Sequence, residues 1–446
     1  MVVGVFGDCP TFGDRQPQTL LPGNHLHPMD TLILVIFIAG YVLIALESTI
    51  KINKAAIALF TGVLTWSVFI ISRSGSGEVV NQLAEHVGGI SQIIFFLIGA
   101  MTIVELVDAY QGFDVITKRI KTNNKRTLLF TLGFITFFLS SVLDNLTTTI
   151  VMVTLIRKLV GDKNERLLFV GMTVIAANAG GAWTPIGDVT TTMLWIGGQI
   201  TTGNIMRELF LPSLVSLLVP LAAFSFVMKG DIKRAQHESE VSRVMNFEKY
   251  LIFTLGIGAL IFVPVFKTIT HLPPFMGMLL GLSLLWIVTE VLHIDKEPND
   301  KISVTKALRR IDIPSILFFL GILIAVAALE SVGMLSNLAT GLSNYVGDLR
   351  IISISLGLLS AVIDNVPLVA ATMGMYDLQT LPPDHFFWEL IAYCAGTGGS
   401  ILIIGSAAGV AAMGIENIDF VWYLRRISFI ALLGYLGGAF LYIFMH

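Results

Sequence analysis

The six residues Ser-Val-Leu-Asp-Asn-Leu at 141–146 recur as Ala-Val-Ile-Asp-Asn-Val at 361–366, 220 positions later. A second stretch, Ala-Gly-Gly-Ala at 179–182, is answered by Thr-Gly-Gly-Ser at 397–400, 218 positions later. Two motifs in the same order at nearly the same offset indicate an internal duplication. The chain is therefore predicted to consist of two similar halves, each with an Asp-Asn pair followed by a glycine-rich stretch.

The composition around these motifs is that of a membrane protein. Of 446 residues, 54% are hydrophobic and 13% are charged, whereas soluble domains have about 45–50% apolar and about 25% charged residues. Apolar runs of the length that crosses a bilayer, about 20 residues, follow one another after Met29. The formal net charge of −3 gives no basic excess, so nucleic-acid partners are excluded and the lipid bilayer is the predicted surrounding.

Apolar periodicity predicts six elements in each half, separated by a polar linker. The first 28 residues have no basic segment followed by an apolar one, so they are predicted to be an exposed tail rather than a signal peptide. The predicted domains are this tail at 1–28, a first repeat at 29–229, a cytoplasmic linker at 230–249 and a second repeat at 250–446. The predicted elements are 30–48, 54–72, 90–110, 127–157, 166–198 and 208–228, then 250–266, 273–293, 312–334, 350–376, 386–415 and 421–445.

The flanking charges predict how these elements enter the membrane. Basic residues precede and follow 127–157, and because such residues collect on the cytoplasmic side, this element is predicted to be a re-entrant hairpin with Asp144 and Asn145 at its tip. Its counterpart at 350–376 is flanked mainly by acidic residues and should enter from the other side. The predicted fold class is an all-α polytopic membrane protein, an inverted repeat with five spans and one re-entrant hairpin per half and with discontinuous helices.

Carboxylates inside a membrane are costly and are functional candidates by default. Asp144 and Asp364 stand at the two hairpin tips, and Asp188 follows a segment that three glycines and a proline should unwind. Carbonyl groups freed at membrane depth are tolerated where they line a cavity or bind something. The second half has Ser406 where the first has Asp188, so the predicted site is similar in shape but asymmetric in charge.

Hard oxygen ligands with a net negative charge favour a cation such as Na⁺. Neutral oxygens in the same stretches are predicted from Asn145, Thr147, Thr148, Asn178, Thr184, Thr190, Asn365, Thr397, Ser400 and Ser406. The five residues predicted to contact Na⁺ directly are Asp144, Asn145, Asp188, Asp364 and Asn365, and no Lys or Arg is expected near these acids. A proton can compete for the same carboxylates where burial and neighbouring like charges favour the neutral acid, and such competition is sufficient for exchange.

At these residues the chain resembles the NhaD-type sodium/proton antiporters of the ion transporter superfamily, which also includes arsenite exporters and dicarboxylate/sodium symporters. The resemblance covers nearly everything after Met29 and rests on the stretches at 141–145, 178–188, 363–367 and 396–400. It implies Na⁺ and Li⁺ export driven by proton entry, activity favoured at alkaline pH, a homodimer and a bacterial inner membrane. It also implies that the hairpin-bearing part moves as a unit against a scaffold.

Two other functions stay open on the sequence alone. A sodium-coupled anion carrier or metalloid exporter would need a cationic or thiol group near the hairpins. An intramembrane aspartyl protease could use Asp144 and Asp188 as its acid pair, but Asp364 would then have no role. The chain has no phosphate-loop or dinucleotide fingerprint, so ATP-driven transport by this chain alone is not expected. The predicted protein is a secondary transporter without a cofactor and not an enzyme.

Overall fold

The computed structural model describes residues 28–45, 47–73, 77–117, 120, 122–233, 245–294 and 302–446. Within these ranges every element is helical, and Asn124 and Asp231 form an isolated β-bridge. The predicted tail up to residue 27 and residues 234–244 of the predicted linker lie outside the described residues. The domain boundaries drawn through these segments stay predictions.

The first half of the described chain contains ten helices, of which two are single turns. They are α1 Pro28–Ala45, α2 Glu47–Ile50, α3 Lys54–Ser72, α4 Gly77–Ala109, α5 Asp114–Thr117, α6 Lys125–Ser140, α7 Asn145–Leu159, α8 Lys163–Gly181, α9 Val189–Ile196 and α10 Thr202–Val227.

The second half repeats this order of long and interrupted helices. Its helices are α11 Asn246–Thr270, α12 Pro274–Leu292, α13 Val304–Leu308, α14 Ile313–Ser331, α15 Met334–Tyr345, α16 Leu349–Leu359, α17 Asn365–Met375, α18 Phe386–Gly398, α19 Ala407–Glu416, α20 Phe420–Tyr423 and α21 Phe429–Met445. A π-helical turn at Leu424–Ser428 joins α20 to α21 in one continuous rod.

Seven of the described helices are long and apolar enough to cross a membrane, which confirms a polytopic membrane protein. The predicted helix boundaries agree closely with three main exceptions: α10 begins at Thr202 instead of residue 208, α15 at Met334–Tyr345 was not predicted, and α4 begins at Gly77 instead of the predicted residue 90. Polar residues in its first turns conceal the helix from a hydropathy reading. One side of these turns nevertheless packs inward, since Val79 and His86 are buried and His86 Nε2 lies 3.0 Å from Ser331 Oγ.

The helices pack into two groups. The long-helix group, which we define as α1, α3, α4, α11, α12 and α14, is held by close contacts such as the crossing of α3 and α14. There a Cβ on Gly321 would lie 2.4 Å from the Leu59 backbone nitrogen, and Trp66 Nε1 donates to the Ile324 carbonyl at 2.8 Å. Small residues permit this approach of two backbones where lipid supplies no hydrophobic driving force.

The broken-helix group, defined as α6–α10 and α16–α21, contains both repeated motifs. Its interrupted helices cross, since α6 packs on α8 and α16 packs on α18. Each crossing has a matching hydrogen bond: Ser140 Oγ donates to the Ala177 carbonyl at 2.6 Å, and Ser360 Oγ donates to the Ala395 carbonyl at 2.9 Å. The broken-helix group meets the long-helix group mainly where α17 packs on α14.

A buried ion-pair cluster closes one end of the broken-helix group. The Glu416 carboxylate at the end of α19 is almost fully buried; one oxygen lies 2.9 Å from Arg166 Nε and the other 3.3 Å from Arg157 Nε. These contacts join the end of α19 to α7 and α8. They therefore connect the two halves of the chain across this group.

We expect Glu416→Gln to lower stability by about 2–3 kcal/mol, because it leaves Arg166 largely buried without a counter-charge. The value lies at the low end of the range for a broken buried pair because Arg157 is half exposed. Thermal unfolding of the purified protein in detergent measures the change. The control is Glu165→Gln, which removes the more exposed pair with Lys125 and should cost less than about 1 kcal/mol. Equal losses in the two variants would contradict this role for Glu416.

Candidate functional site

Both Asp-Asn motifs stand where a helix is interrupted. Asp144 is the N-cap of α7 and accepts the Thr147 backbone N–H at 2.8 Å and the Thr147 hydroxyl at 2.6 Å. Asp364 is the N-cap of α17 and accepts the Val366 N–H at 3.3 Å. Aspartate is a preferred N-cap because its side chain satisfies an otherwise free N–H group of the first turn. The predicted breaks at these two motifs are therefore present, and capping gives them a local cause.

The two glycine-rich stretches are interrupted in the same way. The chain leaves α8 after Gly181 and re-enters a helix at Val189, with Asp188 as N-cap accepting the Thr190 N–H at 3.0 Å. In the second half Ser406 is the N-cap of α19 and accepts the Gly409 N–H at 3.2 Å. The first half therefore has Asp188 as N-cap where the second half has Ser406, as the sequence predicted.

Asn178, Asn145 and Asp188 form the centre of a fully buried polar network. Asn145 Nδ2 donates to Asp188 Oδ2 at 2.8 Å and to Asn178 Oδ1 at 3.0 Å. Asn178 Nδ2 donates in turn to Ser400 Oγ and Ser406 Oγ, each at 2.9 Å. The network therefore joins the start of α7 to the interrupted stretches between α8 and α9 and between α18 and α19.

The second Asp-Asn motif reaches the same centre. Asn365 Nδ2 lies 3.5 Å from Asp188 Oδ2, so two amide groups from opposite halves approach one carboxylate oxygen. Asp188, Asn145 and Asn365 are each at most 3% exposed. A buried acid surrounded by side chains that can rotate between donor and acceptor faces is suited to holding either a proton or a small cation.

The other two acids flank this centre on different sides. Asp144 and Asp188 line one small cavity of about 20 Å³, whose remaining wall is largely apolar and includes Leu97, Met101 and Met278. Asp364 faces the long-helix group instead. Its Oδ2 atom lies 3.3 Å from Lys54 Nζ, at the start of α3.

This ion pair corrects one inference from the sequence. We predicted that no Lys or Arg lies near the acids, and that is wrong, because α3 brings Lys54 to Asp364 from 310 positions away. Distance along the chain could not reveal the contact. A local signal was present, since Lys54 is a lone cation opening an apolar helix.

Several predicted oxygen donors are engaged in local hydrogen bonds rather than facing the centre. Thr184 Oγ1 donates to the Ser141 carbonyl at 2.6 Å, and Thr397 Oγ1 donates to the Tyr393 carbonyl of its own helix at 2.6 Å. Thr147 donates its backbone N–H and its hydroxyl to the Asp144 cap, and Thr190 donates its backbone N–H to the Asp188 cap. The Thr148 hydroxyl is buried and has no hydrogen-bond partner among the described residues. Ser140 and Ser360, which the repeat offset could have revealed, hold the helix crossings.

A larger cavity lies close to the network. It has a volume of about 210 Å³ and lies between α4, α9, α14, α17 and the loop joining α11 to α12. Met193 of α9 and Ala370 of α17 are in its lining. At about 1.5 Å per helical residue, Met193 is about 8 Å along α9 from the Asp188 cap. The described residues contain no cluster of three or more His, Cys, Asp or Glu side chains of the kind that holds a resident metal.

Sequence comparisons place this geometry in a transporter family. The profile of the citrate transporter family, CitMHS, matches residues 41–389, which include both Asp-Asn motifs and the first glycine-rich stretch. The chain belongs to this family. The family consists of transporters, so an enzymatic role such as an intramembrane aspartyl protease loses its support.

Relatives within the family come from plants and bacteria. The chain is similar to "Sodium/proton antiporter 1" of Arabidopsis thaliana, at 52% identity over 94% of this chain and 73% of the relative. It is 47% identical to "Sodium/proton antiporter 2" of the same plant, over 92% of this chain and 99% of the relative. It is 30% identical to "Na(+)/H(+) antiporter NhaD" of Vibrio cholerae, over 93% of this chain and 91% of the relative. The predicted resemblance to NhaD-type proteins is confirmed, whereas the predicted bacterial inner membrane stays a prediction.

Proposed function

We propose that this chain is a secondary active transporter that exchanges Na⁺ or Li⁺ for H⁺ by alternating access. The observation that carries the proposal is the buried network around Asp188, in which amide groups from both halves meet one carboxylate. One acid that can hold either a proton or a metal ion couples the two by competition, because burial favours the neutral acid or the ion-bound form over the free carboxylate.

The cation would be held by oxygen atoms of the network and its flanking acids. Asp188 supplies the central charge, and Asp144 and Asp364 flank it as the N-caps of α7 and α17. The amides of Asn145, Asn178 and Asn365 and the hydroxyls of Ser400 and Ser406 supply neutral oxygens after rotation of their side chains. Thr147, Thr148, Thr184, Thr190 and Thr397 are assigned supporting roles near the same breaks. The transported ions are cargo, and no resident cofactor is proposed.

The architecture we propose is an inverted repeat of 29–229 and 250–446, with a re-entrant hairpin in each half. The supporting observation is that each interrupted pair is locked by the same serine-to-carbonyl hydrogen bond, from Ser140 in one half and from Ser360 in the other. In this arrangement ten elements cross the membrane. They are the seven long helices, α1, and the two interrupted pairs α8–α9 and α18–α19. The homodimer implied by the resemblance stays a prediction.

The relatives' names give independent support for the cargo. Proteins named sodium/proton antiporters align with more than nine-tenths of this chain, at up to 52% identity. The alternative is a sodium-coupled carrier of organic anions, which the description of the family as citrate transporters favours. Lys54 could supply the cation that an anion needs, but its ammonium group is paired with Asp364.

A transport assay separates these two functions. The full chain is reconstituted in liposomes that contain a pH-sensitive dye, and a proton gradient is imposed before Na⁺, Li⁺, K⁺ or citrate with Na⁺ is added. We expect Na⁺ and Li⁺ to collapse the gradient, K⁺ to have little effect, and citrate to add nothing to the response to Na⁺. If citrate is taken up together with Na⁺, and Na⁺ alone moves no protons, the protein is a sodium-coupled anion symporter and the proposed exchange is wrong.

A further inference from the structure

The Lys54 side chain lies between the two helix groups. Its Nζ atom is 3.3 Å from Asp364 Oδ2 and 4.4 Å from the centre of the Phe318 ring in α14. The Lys54 and Asp364 side chains are 20% and 12% exposed, so the pair is largely removed from solvent. An ion pair in such a place gains from weak screening but has lost hydration on both sides.

The long-helix group fixes the position of the lysine. The Lys54 backbone N–H donates to Glu47 Oε1 at 2.9 Å, and Asn53 caps α3 by accepting the Ala55 N–H at 2.8 Å. The ammonium group is held over Phe318 by a cation–π contact, a favourable interaction when partly desolvated. Lys54 is therefore presented to Asp364 by α3 and α14, which pack tightly on each other.

The location of this lysine is unfavourable for its own helix. A cation in the first turn opposes the helix macrodipole, whose positive end is at the N-terminus. The cost to α3 is compensated by the contact with Asp364, which belongs to the broken-helix group. The ion pair is thus a bond between the two groups rather than a feature of either one.

The two equivalent acids consequently differ. Asp144 is hydrogen-bonded by Thr147 and takes part in no ion pair within the described ranges. Asp364 has a tethered cation beside it, and the next residue, Asn365, faces Asp188. A metal ion bound to an oxygen of Asp364 must either share the carboxylate with the Lys54 ammonium group or displace that group.

Building on the proposed exchange of cations for protons, we propose that Lys54 is an affinity-determining residue that competes with the transported cation for Asp364. With the site empty, the ammonium group compensates the carboxylate and ties α17 to the long-helix group. When Na⁺ arrives, the ion pair is given up and that tie between the two groups is released. Lys54 thereby sets how much cation is needed for transport.

The test is the Na⁺ concentration that gives half-maximal exchange by Lys54→Gln in liposomes at fixed pH. Removing the competitor should lower this concentration by about tenfold. Lys54→Arg keeps the charge and should remain near the wild-type value. Lys51→Gln removes the same charge from an exposed position three residues away and should also leave it unchanged, which controls for general electrostatics.

A binding measurement assigns the effect to Asp364. Calorimetric titration of Na⁺ into the purified chain should show tighter binding for Lys54→Gln than for the wild type. In a chain that already carries Asp364→Asn, adding Lys54→Gln should not tighten binding further. Phe318→Leu weakens the placement of the ammonium group and should shift binding in the same direction by less. It provides a second variant if Lys54→Gln does not fold.

Two outcomes are distinguishable. If the wild type exchanges Na⁺ for H⁺ but Lys54→Gln and Phe318→Leu bind Na⁺ no better than it does, Lys54 is only a structural partner of Asp364 and the inference fails. If the wild type moves no protons against Na⁺, the proposed exchange itself is wrong.

Discussion

Asp188→Asn is expected to abolish cation-driven proton movement while the protein still folds. Asparagine is as good an N-cap as aspartate, so α9 can begin at the same residue with the same bond to the Thr190 N–H. What is lost is the charge at the centre of the network. A buried site deprived of its charged ligand loses about 3 kcal/mol of interaction or more, which corresponds to at least a 100-fold weaker effect of Na⁺.

The measurement is the Na⁺-dependent collapse of a proton gradient in liposomes, compared at equal amounts of folded protein. Asp162→Asn is the matched control, because Asp162 is an exposed N-cap of α8 that accepts the Glu165 N–H at 2.9 Å. It undergoes the same chemical change at an equivalent structural position and should retain wild-type exchange. Normal exchange by Asp188→Asn would remove Asp188 from the proposed coupling, whatever the behaviour of the other acids.

The breaks in the helices could be predicted from sequence because they have local causes. The aspartate of each Asp-Asn pair caps the helix that follows it. Paired glycines have no side chains, so they allow two helices to cross closely. Both signals lie within a few residues of the sequence. Repetition of Asp144 at Asp364 then turned two weak local signals into one strong pattern. The same reasoning placed the acid at Asp188 against the hydroxyl at Ser406.

Contacts that depend on packing over long distances could not be predicted in this way. Lys54 reaches Asp364 only because α3, α14 and α17 come together, and no spacing in the sequence encodes that arrangement. Asn178 was predicted to be a neutral oxygen donor, yet its amide nitrogen also binds both Ser400 and Ser406. The sequence cannot indicate whether an asparagine binds through its amide oxygen or its amide nitrogen, because that choice depends on all the neighbouring hydrogen-bonding groups.

Gly180→Ala should have the largest effect on folding. A Cβ at this position would lie 2.1 Å from the Phe137 carbonyl oxygen, which belongs to the backbone of α6 and cannot rotate away. The helices must separate, so we expect a loss of roughly 3 kcal/mol or more, at or above the upper end for overpacking in a core. Separation would also stretch the 2.6 Å bond from Ser140 to Ala177 and displace the adjacent Asn178 from the network.

The second half offers the same experiment, and a helix elsewhere offers its control. A Cβ on Gly398 would lie 2.1 Å from the Gly357 carbonyl oxygen, so Gly398→Ala should be equally harmful. At Gly414, in α19, the added carbon would have no atom within 4 Å apart from its chain neighbours and the adjacent backbone of its own helix, and alanine there should stabilise the helix by up to about 1 kcal/mol. Size-exclusion chromatography and thermal unfolding in detergent compare the three variants. If Gly180→Ala and Gly398→Ala both behave like Gly414→Ala, the crossings are loose, and the acids they position have no rigid frame within which one carboxylate could distinguish a metal ion from a proton.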